Sequence, residues 1–479
     1  MLPVGPILYA RGVNGARLRL AAQLVLPVAQ PAPALVDADG ASVQPEPLWT
    51  EDAVRGWIYR FELPLGTCTG YQLPGIGAGH FPVDTDFDGA LRIGFVSCNG
   101  RADADTAWPD DSRNAMWSRL RAEHQRAPMQ LLLQGGDQLY ADGVLKAHAE
   151  VGDWLRGDPG RQSPNVSAAV ETAIRRYYLR TYIRCFERTD TAWLMARVPS
   201  LMMWDDHDIV DGWGSLKEQR LDSPIGQAVF DNARRFFMRF QLGCAEHESP
   251  PNALDGNGRN LGWICRLPGF SVLAPDLRSE RRPHRVLGEP SWTALERALA
   301  ALDVAWEGSA ERLLVLSSVP ALGPRLSWLE HVARFLPGAG QYRDDLRDQW
   351  QSRAHREEWR RFLSLLVEQT ARRDVTVLSG EIHLATRGQM QGHGRVLHQL
   401  VASGIAHPPP PSAFAFALGM LASLGENPLP GHPITLHPLP GRRRTYTNER
   451  NFLILERRSG RWSAHWETEH GGPSDVLSI

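Results

Sequence analysis

A chain of 479 residues with 43% apolar, 22% charged and 8% aromatic content has enough apolar material for one large core or two smaller ones, the signature of a globular protein. Its 52 basic side chains nearly cancel 54 acidic ones, leaving a net charge of −2, so no global field recruits nucleic acid or an anionic membrane, which leaves room only for a local basic site, and no nucleic-acid partner is indicated. Five widely spaced cysteines argue against a disulfide framework.

Residues 1–88 alternate short apolar runs with Gly, Pro and Asp and show no sustained 3.6-residue period, which predicts a small β-sandwich-like domain. The opening Met1-Leu2-Pro3-Val4-Gly5-Pro6 has no basic region ahead of an apolar core, so the expected location is cytoplasmic. Gly75-Ile76-Gly77-Ala78-Gly79 superficially matches a dinucleotide fingerprint, but Pro82 stands where a helix has to begin, and the segment reads as a turn. After a polar boundary at 84–89 the pattern changes, and residues 89–479 form the second domain. Apolar runs predict strands at 91–97, 129–134, 201–204, 270–274, 313–318, 375–379, 396–401 and 452–455. Helical stretches fall at 111–126, 167–186, 227–241, 291–302 and 344–373, and the alternation defines an α/β domain. The longest apolar run, 413–424, is shorter than the ~20 residues that cross a bilayer, so no transmembrane segment is expected. It follows the proline run 408–411 and reads as a buried helix, the alternatives being a lid or a surface for a partner or lipid. The basic triplet Arg442-Arg443-Arg444 reads as a solvated loop.

Four predicted strands run into polar clusters: Cys98-Asn99-Gly100, Gly135-Gly136-Asp137-Gln138-Leu139-Tyr140-Ala141-Asp142, Asp205-Asp206-His207-Asp208 and Gly380-Glu381-Ile382-His383. Ligands of α/β sheets sit beyond the carboxyl ends of the strands, so these loops converge on one crevice. Cys98, Asp137, Tyr140, Asp206, Glu381 and His383 span soft to hard donors, and the carboxylates suit Ca²⁺, Mg²⁺ or Mn²⁺. Two ions ~3.5–4 Å apart clamp the attacking and leaving oxygens of phosphoryl transfer. Asp137, in a Gly-Gly turn, is the candidate bridge, and His207, flanked by carboxylates, the candidate acid for the leaving group. Each cluster alone also reads as a turn or a satisfied core group. Three carboxylates after one apolar strand, however, repel one another without a cation. Arg278 and Arg281 follow the strand 270–274 and are candidates for holding a substrate phosphate, with ion pairing to Asp276 and Glu280 as the alternative.

The blocks Gly-Asp-Gln-Leu-Tyr, Asp-Asp-His-Asp and Gly-Glu-Ile-His resemble the motifs of the calcineurin-like metallophosphoesterase superfamily. With Phe95-Val96-Ser97-Cys98 they resemble the PhoD-like alkaline phosphatases over roughly residues 90–470. The resemblance implies a four-layer αββα sandwich preceded by a β-sandwich-like domain. It also implies that Cys98 binds the first metal, Asp137 bridges both, and Tyr140 takes the place of an iron-binding tyrosine. Asp206 then stands for the usual Asn, Glu381 for the first His of the last motif and His383 for its second. His207 becomes the leaving-group histidine, with Asp208 its partner. The implied metals are Fe³⁺ with one or more Ca²⁺, and the donors also permit Mn²⁺ or Mg²⁺. The expected function is hydrolysis of phosphomonoesters or phosphodiesters, from small molecules, lipids or polymers, by a metal-activated hydroxide at a dinuclear or larger site. The rivals are a catalytically inactive metal-binding regulatory protein on the same fold, and a metallohydrolase of another bond.

Overall fold

A computed structural model describes residues 3–66, 68–101, 109–157, 165–256, 260–302, 312–324 and 349–479. Apolar runs buried on both faces form the centres of two large sheets. In the 11-stranded sheet, Leu91–Val96, Leu131–Gly135 and Ser200–Met203 are adjacent and parallel, every residue buried. Such strands need apolar cover on both sides, which is why they read as continuous runs rather than alternating ones. Asn451–Arg458 and Arg461–Thr468 extend this sheet on one side. On the other, Val4–Asn14 pairs parallel to Ser200–Met203 and is followed by Arg17–Pro27, Val54–Pro64 and Glu46–Glu51. The N-terminal strands therefore continue the same sheet, and a four-stranded sheet of residues 35–84 packs on them through Phe61 and Tyr71, rings 5.3 Å apart.

The second, eight-stranded sheet runs Trp263–Leu267, Phe270–Ala274, Arg312–Ser317, Val375–Ser379, Val396–Ala402, Ala385–Gln391, His432–His437 and Glu426–Leu429. Side chains alternate faces along a strand, and the core divides accordingly. Leu314, Leu316, Leu378 and Leu400 pack into the core shared with the first sheet. Leu313, Val315, Val375 and Val377 pack beneath the helices Glu289–Ala301 and Arg356–Gln369. Trp466 and Trp263 bridge the sheets, donating from their indoles to the carbonyls of Val401 and Met202. Asp110–Arg126, Ala168–Phe186 and Pro224–Phe240 supply the helical layer against the first sheet, where Gly94 leaves room for Met129 and Leu132. The expected α/β architecture, helices outside two packed sheets, is what the chain adopts.

Boundaries shift where local chemistry overrides periodicity. The helix expected from 227 begins at Pro224, because Ser223 caps it by accepting from the Gly226 amide at 3.1 Å and proline suits the first turn. The helix expected over 344–373 spans Arg356–Gln369, and residues 344–348 lie outside the described residues. Ahead of it, Gln349 and Gln351 are drawn to Glu381 and to the carbonyl of Pro320 instead of continuing a helix. The segment 413–424 forms the helix Ser412–Ala422, but only Ala415, Leu418 and Ala422 are buried, so the expectation of a buried helix holds for one face alone. The glycines at 75, 77 and 79 form turns at positive φ. All five cysteines are free.

Candidate metal centre

Five parallel strands, three from one sheet and two from the other, end at one crevice. Cys98 follows Leu91–Val96, Asp137 follows Leu131–Gly135, Asp205–Asp208 follow Ser200–Met203, and Glu381 and His383 follow Val375–Ser379. Ser403 and His407 follow Val396–Ala402. The backbone is strained here. Seven non-glycine residues among those described have positive φ, and four are Cys98 (54°), Asp137 (56°), Glu381 (63°) and His383 (51°). Clustering of such outliers is a mark of functional sites. Gly136 (φ 102°) admits no side chain, since a Cβ there would lie 2.8 Å from Asp205 Cβ.

Two groups of donor atoms form, each with all atoms within 4.8 Å of one another: Cys98, Asp137 and His383, and Asp137, Asp206 and His207. Asp137 is common to both. Its Oδ2 lies 3.5 Å from Cys98 Sγ, while its Oδ1 is buried with no hydrogen-bond partner among the described residues. A buried anionic oxygen left in this way costs free energy unless a cation or proton meets it. Burial, then the neighbouring Cys98, Asp205 and Asp206, raises the Asp137 carboxyl well above the usual range. Burial likewise pushes the Cys98 thiol up to about 11 and raises the Tyr140 phenol. These donors thus hold their protons until a cation displaces them, and as a set they fit a pair of metal ions.

Around the donors, aromatic rings fix orientation. Tyr140 Oη and His383 Nε2 are 3.0 Å apart, and the Tyr140 ring stacks on His207 at 4.2 Å. His407 stacks on His383 at 3.5 Å. Burial, then the proximity of His407 and His207, lowers the pKa of His383 and keeps it neutral, as a ligand requires. Ser403 Oγ lies 3.2 Å from Cys98 Sγ and accepts from the His383 amide at 2.8 Å.

His207 differs from its neighbours. Burial opposes its charge, but Asp142 and then Asp206 raise its pKa well above the ordinary value. His207 Nδ1 lies 2.9 Å from Asp142 Oδ2, and Asp142 Oδ1 accepts from the Asp211 amide at 2.7 Å. The residue expected to partner His207, Asp208, does not do so. It is fully buried and accepts from the amides of Asp137 (2.8 Å), Leu139 (3.0 Å) and Asp205 (2.9 Å) and from Gln241 Nε2 (2.8 Å). Asp208 thus ties two site loops together, and Asp142 holds the imidazole.

Two further expectations meet a different geometry. Arg278 is fully buried and paired with Asp205 and Asp206, and Arg281 is buried beside it, packed on Gly214. Adjacent carboxylates at 205 and 206 need a nearby cation, and the buried Arg278 meets that need. Asp206 Oδ2 also accepts from the Gly212 amide at 2.8 Å. Glu381 lies in the same loop as His383, but its Oε2 accepts from Gln349 Nε2 at 2.5 Å and it belongs to neither donor group. Residues to which the sequence assigned no role are Asp142, Ser403 and His407. Only Asp142 carried a signal, as the acid two residues beyond Tyr140.

Two packed mixed sheets with donors gathered at parallel strand ends define an α/β phosphoesterase fold, and the solved structure of PhoD shares it. That structure superposes with a TM-score of 0.59 at 12% identity, covering 99% of this chain and 89% of PhoD. Residues 111–342 match the family described as PhoD related phosphatase, so the chain is PhoD-like in sequence as well as in fold. An uncharacterized protein of Saccharomyces cerevisiae, YGR266W, is 24% identical over 464 residues, covering 76% of this chain. The match takes in 64% of the yeast protein, so the chain spans less than two thirds of that relative.

Proposed function

We propose that this protein is a metal-dependent phosphoesterase that hydrolyses phosphomonoesters or phosphodiesters at a dinuclear centre. The observation that carries this reading is Asp137, one buried carboxylate shared by two donor groups, with an oxygen that no described residue meets. Cys98, Asp137, His383 and Tyr140 would hold one ion, and Asp137 and Asp206 the other. The thiol and phenol on the first side suit Fe³⁺, and the carboxylates on the second suit Ca²⁺, Mn²⁺ or Mg²⁺. Bound there, such ions supply Lewis-acid polarisation of a phosphoryl oxygen and lower the pKa of water.

The chain's own groups do the rest. His207, held by Asp142 at 2.9 Å and kept protonated by the surrounding carboxylates, donates a proton to the departing ester oxygen. Arg278 positions Asp206 by neutralising the pair it forms with Asp205. Asp208 holds the 137 and 205 loops at fixed separation. The His207–Asp142 pair favours an enzyme over an inactive metal-binding relative, because ion binding alone does not need a buried charged imidazole.

Elemental analysis of the purified protein, with turnover of p-nitrophenyl phosphate and bis-p-nitrophenyl phosphate before and after chelation, tests the proposal. At least two ions per chain and chelator-sensitive hydrolysis are expected. A chain that stays metal-free after exposure to Fe, Mn, Ca and Mg, or hydrolyses neither ester when loaded, refutes it.

A further inference from the structure

The helix Ser412–Ala422 contains no charged residue, and one side of it is bare. Phe416, Met420 and Leu424 are 62%, 61% and 67% exposed, three of only five large hydrophobic residues exposed among those described. Phe416 and Met420, spaced by four, share one face of the helix, and Leu424 follows in the turn just beyond its end. The opposite face packs with Leu384 and Tyr446 and against Ile382, the residue between Glu381 and His383. The proline run before the helix joins it to His407, whose amide donates to the Cys98 carbonyl at 3.1 Å and whose ring stacks on His383. The bare apolar stripe is thus anchored directly to the metal-centre loops.

Charge lies beside it. The chain that follows Arg442-Arg443-Arg444 runs along the helix: Thr445 faces Gly419, Tyr446 shares its core, and Asn448 Nδ2 donates to Ser412 Oγ at 2.8 Å. Arg442 is fixed to the carbonyl of Gly471, whereas Arg443 and Arg444 are exposed and make no hydrogen bond or ion pair among the described residues. The carboxylate of Asp475 lies beside Gly441, and Glu426, after the helix, is buried against Arg356. Arg443 and Arg444 thus stand unpaired among the described residues in the chain that borders the stripe, while the neighbouring Glu449 is engaged by the amides of His470 and Gly471 at 2.8 Å.

We infer that this surface docks on an anionic phospholipid membrane, with Phe416, Met420 and Leu424 entering the acyl boundary and Arg443 and Arg444 meeting lipid phosphates. An apolar stripe flanked by arginines matches that interface in both hydrophobicity and charge. No helix among those described is long and apolar enough to cross a membrane, and the inferred contact is one of this surface alone. Docking would bring the crevice to headgroup phosphate esters, a substrate class that rests on the phosphoesterase reading above; the docking itself does not.

Co-sedimentation of the full chain with vesicles, in the presence of chelator so that turnover plays no part, tests the inference. One set of vesicles is phosphatidylcholine alone and the other carries one-fifth phosphatidylglycerol. The chain should sediment with the anionic vesicles only, and high salt should release it. The triple variant F416S/M420S/L424S and the variant R443E/R444E should each bind roughly tenfold or more weakly, with p-nitrophenyl ester turnover in solution unchanged. A wild-type chain that stays in the supernatant, or variants that bind as well as wild type, would overturn it. So would a dimer in sedimentation velocity that the triple variant dissolves without any vesicle binding. Vesicle binding by a chain that hydrolyses no ester would leave docking standing and remove the phosphoesterase reading alone.

Discussion

Replacing Asp137 by Asn should weaken both metal sites and leave the metal-free fold as stable as before or more so. Asparagine is nearly isosteric and tolerates the positive φ of 56° at this position. The backbone contacts, Asp137 N to Asp208 Oδ2 at 2.8 Å and Asn99 N to the Asp137 carbonyl at 2.7 Å, do not depend on the side-chain charge. In the metal-free chain the substitution removes a buried carboxyl crowded by Cys98, Asp205 and Asp206. In the loaded chain it removes one of the donors from each of two groups. A charge-assisted contact is worth ~1.5–3 kcal/mol, or roughly 10- to 100-fold in affinity at each site. A 100-fold loss at saturating metal lowers the stabilisation by ~2.7 kcal/mol per site. For 479 residues at ~2.1 cal/mol/K each, the unfolding entropy is roughly 1 kcal/mol/K, so the loaded midpoint falls by about 3 °C per site and 5–6 °C for both. Calorimetry with and without metal, alongside elemental analysis, reads this directly. Loss of one ion alone would show that Asp137 does not bridge, and a variant with both ions and the full metal-induced shift would show that it is no ligand.

Three further outcomes follow from the same geometry. His207→Ala should lower kcat by roughly 10²- to 10⁴-fold on an alkyl phosphate ester with metal content kept, and less on a nitrophenyl ester, whose leaving group needs little protonation; Asp142→Asn should reproduce much of the loss, and equal losses on both substrates would exclude proton donation. Asp208→Asn should act on stability, costing ~2 kcal/mol or more in denaturant unfolding of the metal-free chain, because an amide cannot accept from all four donors that converge on the carboxylate; an unchanged midpoint would refute its structural role. His124 and His398 are each held down to about 4, mainly by burial, so both are neutral in the fold but protonate near 6.5 when unfolded. The stability they contribute is complete above about pH 6.5 and is lost as pH falls toward 4, by about 1–2 kcal/mol per histidine between pH 7 and 5, and His124→Gln should flatten that decline.

The site loops were legible because parallel strands buried on both faces give unbroken apolar runs, after which a polar cluster stands out. Antiparallel strands with a mixed face did not show: Ala385–Gln391 reads Ala-Thr-Arg-Gly-Gln-Met-Gln, and from Thr386 on only alternate residues are buried. The start of the helix Pro224–Phe240 was encoded in Ser223-Pro224, a capping signal that apolar periodicity alone passes over. That Asp142 rather than Asp208 partners His207 was not legible, although Asp142 stands in the polar cluster after Leu131–Gly135. Asp208 is adjacent in sequence, but the turn of 3₁₀-helix Asp206–Asp208 carries its carboxylate back onto the Asp205 amide. Asp142 arrives from another strand's loop, 65 positions earlier. Which neighbour of a histidine faces it is set by the turn of the backbone, and single-sequence reasoning has no access to that rotation.

The same limit applies to residues 1–88. Their alternating pattern predicts a separate β module, and the division of the chain at 88 remains a proposal. The strand Val4–Asn14 nonetheless lies directly beside Ser200–Met203, with Tyr9 opposite Ser200 and its hydroxyl donating 2.7 Å to the carbonyl of Phe240. Ser200–Met203 leads straight into Asp205–Asp208, so the N-terminal segment covers the edge of the strand that delivers Asp206 and His207. An uncovered edge frays or pairs with other chains. The segment contributes no donor to either metal group, and its bearing on the site comes through the strand it holds in the sheet.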